Sequence, residues 1–283
     1  MKQDWLWLFL KGLAMGAADV VPGVSGGTIA LITGIYERLV GALSRLDIRQ
    51  PFKSIDWRLF VPLGLGIVVA VLLFANVIHG ALENFPGQTY AFFFGLILVS
   101  AWLVWQKITS PPAFAGTSPW KRRGDVSSFG AIAMGIVFAY LFVGLNPLES
   151  DHSLLTVFLS GAVAIMAMML PGISGSFLLL FLGQYEFILN AVRGLVLPVL
   201  IVFVLGIAAG VLVFSRVLKH LMQKHRSLTM AFLVGMMLGS LRLPYREIVA
   251  AGTSLISVIA FVVIGFAGVL LLERLAQSLY DRS

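Results

Sequence analysis

Apolar residues run through this chain in stretches of roughly 17 to 25, long enough to cross a bilayer as helices, and the charged residues cluster between them. The pattern predicts spans near 59–79, 88–106, 127–145, 197–217, 228–241 and 250–272. Two further apolar stretches, 5–43 and 154–192, are each interrupted by nearly the same pentapeptide, Pro22-Gly23-Val24-Ser25-Gly26 and Pro171-Gly172-Ile173-Ser174-Gly175, 149 residues apart. In hydrocarbon an unpaired backbone N–H or C=O costs several kcal/mol, so a non-helical stretch persists at membrane depth only where protein, water or a ligand satisfies it. Two such breaks point to a binding site.

The similarity extends beyond the pentapeptides. Residues 22–43 laid on 171–192 share nine identities in 22 positions, including Leu31/Leu180, Gly34/Gly183, Tyr36/Tyr185, Glu37/Glu186 and Ala42/Ala191, and upstream Gly12 falls on Gly161. Further on the offset is 140, and Thr89, Ala91, Phe92, Gly95, Leu98 and Ser100 fall on Thr229, Ala231, Phe232, Gly235, Leu238 and Ser240. The chain reads as one transmembrane domain, 1–283, made of two repeats, 1–150 and 151–283, each a broken element followed by three spans.

After the first pentapeptide and Gly27, only nine residues, Thr28 to Tyr36, precede the next charges. At 1.5 Å per residue they cover about 14 Å, against about 30 Å of hydrocarbon, so that arm cannot cross. Each broken element is therefore expected to be a re-entrant hairpin that leaves on the side it entered, although two full spans per element would place the loops identically. With returning hairpins, residues 1–12, 37–58, 107–125, 216–227 and the C-terminus share one side and carry 17 of the 20 Lys and Arg; a single crossing per element would divide them 12 to 8. The positive-inside rule selects the first arrangement and puts both termini in the cytoplasm. Three crossings per half then turn the second half upside down, giving an all-α polytopic membrane fold with an inverted repeat and two motif tips approaching from opposite faces.

Composition agrees, with 59% hydrophobic against 12% charged residues and a mean hydropathy of +0.97. The net charge of +7 belongs to this topology rather than to nucleic acid, and all six Trp fall near predicted cytoplasmic edges and loops. There is no cysteine, hence neither disulfide nor thiolate metal site. Lys2 and the apolar run from Trp5 imitate a signal peptide, but Lys11 cuts that run to six residues, so the segment is read as mature protein.

Within the motif, Pro22 ends the inbound arm, Ser25 is placed to cap the outbound helix, and Gly26 and Gly27 leave its first N–H groups uncovered. A helix N-terminus of this kind carries about half a positive charge and free donors, a seat for phosphate or carboxylate. Ser25, Gly26, Gly27 and Thr28, with Ser174, Gly175 and Ser176 in the second copy, form the expected anion cradle; Arg38 and Arg193 are the accompanying cations. Asp19, whose repeat partner is Met168, is placed to hold a proton or cation or to pair with a buried donor. Glu37 and Glu186 recur with Tyr36 and Tyr185 at the hairpin exits, as coupling groups or interfacial anchors.

Both copies contain the Gly-x-Ser-Gly of intramembrane serine proteases, but His79, His152, His220 and His225 all lie at span ends or in loops, leaving either serine without a base. Neither a Walker lysine motif nor His-Glu-x-x-His is present, so no catalytic residue, metal or cofactor is assigned.

The segment Ala18-Asp19-Val20-Val21-Pro22-Gly23-Val24-Ser25-Gly26-Gly27-Thr28, together with the second pentapeptide and Gly183-Gln184-Tyr185-Glu186, resembles the bacterial PopT-type family over the whole chain; the second motif departs from the first in having Ser176 and Phe177 for Gly27 and Thr28. That resemblance implies an undecaprenyl phosphate translocase of the bacterial cytoplasmic membrane that returns the C55 lipid carrier of cell-wall synthesis to the inner leaflet, with the polyprenyl phosphate and membrane lipids as its partners. Two other readings share the sequence features: a carrier of a small soluble anion or organic acid, using the same seats around a closed pore, and a structural or assembly membrane protein.

Overall fold

A computed structural model of the chain describes residues 2–19, 25–47, 50–109, 126–144 and 151–280. Among them lie fourteen α-helices and no strand: α1 (Lys2–Asp19), α2 (Gly26–Ile32), α3 (Tyr36–Ser44), α4 (Pro51–Ser54), α5 (Trp57–Asn84), α6 (Pro86–Thr109), α7 (Val126–Val143), α8 (Leu154–Met169), α9 (Gly175–Phe181), α10 (Tyr185–Arg193), α11 (Leu197–Lys224), α12 (Arg226–Ser240), α13 (Arg242–Ala250) and α14 (Leu255–Tyr280). Pro22, Gly23 and Val24 of the first motif and the basic cluster at 121–123 fall outside the described residues.

Local signals set the boundaries. Asp56 caps α5 by accepting from Leu59 N–H at 3.2 Å, Ser153 caps α8 through Thr156 N–H at 3.3 Å, and prolines occupy the first turns of α4 and α11. Segments 57–74, 86–106, 197–224 and 226–250 are long and apolar enough to cross a membrane, and 127–143, 154–169 and 255–271 form shorter apolar helices. The protein is a multi-pass membrane protein. Each expected span has a helix; α5, α6 and α11 run past the predicted limits, α5 and α11 reaching 28 residues, whereas α7 stops at Val143, α12 at Ser240, and α14 begins only at Leu255. Hydropathy marks the hydrocarbon, whereas the helix continues into the polar region beyond it.

A second break follows each motif, one that the sequence reading did not foresee. The chain turns at Gly34 (φ +74°) between α2 and α3 and at Gly183 (φ +65°) between α9 and α10, in the left-handed region that favours glycine. The bend between α9 and α10 is 108°.

Four helix pairs dominate the packing: α1 on α5, α8 on α11, α6 on α14 and α7 on α12. Each is keyed by glycines on both sides. A Cβ on Gly12 or Gly66 would strike the backbone of the opposite helix at Leu63 or Phe9, and Gly161 and Gly206 do the same at Phe203 and Phe158. Gly95 and Gly265 meet Val262 and Phe92, and Gly135 and Gly235 meet Phe232 and Ile132. Lipid offers no hydrophobic drive between helices, so close backbone approach at small residues is what holds such pairs. The partners are also exchanged: α6 and α7 of the first half pack on α14 and α12 of the second. The buried centre combines Ile29 to Ile32 and Tyr36 with Ile97, Met236 and Met237, so the seven-residue α2 lies inside the bundle.

Candidate functional site

The site is built where the two motif segments meet. A Cβ on Gly27 would lie 3.4 Å from the carbonyl oxygen of Met168 and 3.6 Å from the nitrogen of Pro171. Close by, the buried Tyr36 donates its hydroxyl to the carbonyl of Met169 at 2.7 Å, tying the exit of the first element to the entry of the second motif.

The first tip is closed upon itself. Gly26 N–H donates to Asp19 Oδ1 at 2.6 Å, Gly27 N–H to Ser25 Oγ at 3.1 Å, and Thr28 N–H to the Ser25 carbonyl at 2.9 Å. Ser25 thus caps α2, while the uncovered N–H groups anticipated from the glycines have protein partners. The reason is physical: an exposed helix N-terminus in low dielectric draws the nearest anion, and Asp19, at the end of α1, reaches it. At the other end of α2, Lys11 donates to the Thr33 carbonyl at 2.8 Å. With residue 19 beside 26 and residue 11 beside 33, α2 runs back along α1. Thr28 Oγ1 is fully buried with no hydrogen-bond partner among the described residues.

The second tip differs. Ser174 makes no side-chain cap bond to α9; its hydroxyl lies 2.8 Å from that of Ser176. Met168 stands where the first half has Asp19, and its Cβ would be 3.3 Å from a Cβ on Gly175. Ser176 is exposed, and only Gly175 and Leu178 of α9 are buried, against nearly all of α2. Gly172 (φ +87°) presses on α12, where a Cβ would come within 3.0 Å of the Met236 carbonyl and 3.1 Å of Ser240 Oγ.

Apart from Tyr36, the expected cations and exit groups lie outside these tip contacts. Glu37 pairs with Arg226, and Arg38 faces Asp56 at 3.8 Å, all four about half exposed. Tyr185, Glu186 and Arg193 are exposed, so the repeated Tyr-Glu pair has diverged: Tyr36 is buried in a contact between halves and Tyr185 is not. Sequence reasoning missed Lys11 as a partner of the C-terminal end of α2; its only signal was a lysine inside an apolar stretch. It also missed the fully buried Gln184, which donates to the Asp151 carbonyl at 2.9 Å and lies 3.3 Å from His152 Nδ1. Among the described residues no three His, Asp or Glu side chains gather to hold a metal ion.

Contacts between loops sort the polar ends into two groups. Arg226 meets Glu37 and Arg216 donates to the Leu46 carbonyl at 2.9 Å, joining 37–46 to 216–226. Arg242 donates to the Tyr140 carbonyl at 2.6 Å, and Thr253 sits against Gly87, joining the far ends of α6, α7, α13 and α14.

Comparison with known proteins gives a consistent result. The family described as VCA0040-like, undecaprenyl phosphate translocase-like, matches residues 15–257. A "polyprenyl-phosphate transporter" of Vibrio cholerae serotype O1 is 40% identical over 249 residues, covering 84% of this chain and 77% of that protein. Another so named, from Staphylococcus aureus, is 29% identical over 255 residues, covering 84% of this chain and 86% of its own. No solved structure matches.

Proposed function

The chain belongs to the undecaprenyl phosphate translocase-like family, and from that premise we propose that it moves a polyprenyl phosphate, undecaprenyl phosphate in particular, across the bacterial cytoplasmic membrane for reuse in envelope synthesis. Only the phosphate headgroup meets a barrier in the hydrocarbon; the polyprenyl tail is apolar throughout.

The observation that carries this reading is the meeting of the two motif segments inside the bundle, Gly27 against Met168 and Pro171. Ser174, Gly175 and Ser176 form the open seat, with a hydroxyl pair and, among the described residues, no side-chain cap from Ser174 on α9. Ser25, Gly26, Gly27 and Thr28 form the second stop, where a phosphate oxygen exchanges with the Asp19 carboxylate on Gly26 N–H. The orphan hydroxyl of Thr28 supplies one further donor. In this scheme Asp19 is the coupling group, while Glu37, Glu186, Arg38 and Arg193, with the tyrosines, flank the entrances.

The topology belongs to the same proposal: repeats 1–150 and 151–283 are inverted, the broken elements are re-entrant, and both termini are cytoplasmic. The return of α2 along α1, the exchange of partners among α6, α7, α12 and α14, and the two groups of loop contacts support it.

The test is reconstitution in liposomes with undecaprenyl phosphate placed in one leaflet, comparing the wild type with Ser25→Leu and Ser174→Leu. Fast exchange by the wild type and loss in both variants is expected; equal exchange by all three rejects the cradle.

A further inference from the structure

An apolar groove of about 660 Å³ opens laterally between α6, α7, α12 and α14, and the transport scheme above gives it no task. Its volume falls in the range of small-molecule sites. Two aromatic pairs build its walls: Trp102 with Phe266, centroids 6.5 Å apart and nearly parallel, and Trp105 with Phe129 at 5.9 Å. Leu98 and Leu238 line it as well; they are repeat equivalents, one from each half.

The groove is not a by-product of the duplication. Continuing the register that sets Ser100 on Ser240 places Arg242 and Tyr245 opposite Trp102 and Trp105. At that other position Arg242 lies 4.1 Å over the Tyr140 ring and donates to the Tyr140 carbonyl, a polar arrangement. The aromatic lining is therefore particular to one end of the bundle. The groove also adjoins the second tip through a single helix: α12 gives Leu238 to the groove and its Met236 carbonyl to the contact with Gly172.

We propose that this groove seats the isoprenoid chain of the transported lipid, so that headgroup and tail lie on either side of α12. The proposal rests on the polyprenyl phosphate reading. A methyl-branched chain with flat trigonal carbons at regular intervals packs on aromatic faces, and among the described residues the lining is apolar. One helix diameter, roughly 10 Å, separates groove from tip, a short distance for a long polyprenyl chain.

The test uses the full-length protein in nanodiscs of phosphatidylethanolamine and phosphatidylglycerol, with a photoreactive long-chain polyprenyl phosphate carrying its reactive group in the tail. Labelling is expected on α6, α7 and α14 around Trp102, Phe129 and Phe266. Unlabelled polyprenyl phosphate should displace it most effectively and polyprenol, the same chain without phosphate, more weakly, whereas geranyl phosphate and added phosphatidylglycerol should not. Leu98→Trp, which fills the groove, should lower labelling about tenfold by removing buried apolar contact. Val204→Trp, on the exposed face of α11, should leave it unchanged. Phe129→Ala, which opens the exposed lip of the groove, is the second variant and should weaken labelling in the same direction should Leu98→Trp fail to fold. Displacement by phosphatidylglycerol as effective as by polyprenol, or labelling indifferent to the groove variants, overturns the proposal. Failure of the phosphate reading looks different: polyprenol then competes as well as polyprenyl phosphate and the Ser174→Leu protein labels normally.

Discussion

Lys11 and Asp19, both on α1, grip opposite ends of α2: the ammonium is bound to the Thr33 carbonyl and the carboxylate to the Gly26 N–H. A helix is negative at its C-terminus and positive at its N-terminus, so each charge meets the end that favours it. The repeat equivalents are Ser160 and Met168, neither of them charged.

Lys11→Met and Asp19→Asn should each lower stability, by about 0.3–2 kcal/mol for the lost charge at a helix end, read as a fall in thermal unfolding temperature in detergent. The converse change, Met168→Asp, should place a carboxylate at the N-terminus of α9, raise or preserve stability, and slow undecaprenyl phosphate exchange in liposomes by occupying the open seat. Unimpaired exchange by Met168→Asp would remove the second tip from the transport path.

Tyr36→Phe removes the hydroxyl bonded to the Met169 carbonyl and leaves that oxygen unpaired in the interior. A loss of about 1–3 kcal/mol is expected, while Tyr185→Phe, on an exposed residue, should be within about 0.5 kcal/mol of wild type. Parallel denaturation curves of the two variants check the contrast.

Gly206→Ala drives a methyl group into the backbone of Phe158 and should cost about 1–3 kcal/mol by overpacking. Gly130→Ala, in α7 with open space where the methyl would go, should be neutral or stabilise by up to about 1 kcal/mol through helix propensity. Thermal unfolding of both proteins decides whether the glycine pairs are packing devices.

Asp151, in the exposed loop before α8, is held below the ordinary carboxylate value of 3.8 chiefly by the Thr156 hydroxyl, then by Ser153. Because the folded value is depressed, its stabilising effect is complete above 3.8 and is lost as pH falls through the lower folded value. Asp151→Asn should therefore flatten the acid limb of the stability profile and leave the neutral region with the same slope, as measured by melting temperature against pH.

Much of this was legible in the sequence because membrane segments are written in long apolar runs and the duplication repeats its glycines. The motif breaks, the cap at Ser25 and the helices behind all six spans follow from those signals. The turn at Gly34 was present as an identity with Gly183, but an αL glycine and a packing glycine look alike in sequence. The closure of the first tip was not legible: Asp19 was visible as a costly charge, yet which donor it meets depends on the fold-back of α2, a tertiary event. Arg38 and Arg193 were chosen for their nearness along the chain, whereas the structure gives Arg38 a partner in Asp56 and leaves Arg193 at the surface.

The crossing-over of α6 to α14 and of α7 to α12 makes the two halves of the chain interdependent during biogenesis. A nascent chain that has inserted only its first half holds two glycine-notched helices whose mates have not yet been synthesised, so the sheltered interior arises only when translation has nearly finished. Severing the chain between 144 and 151 should thus yield fragments that are stable only when co-produced.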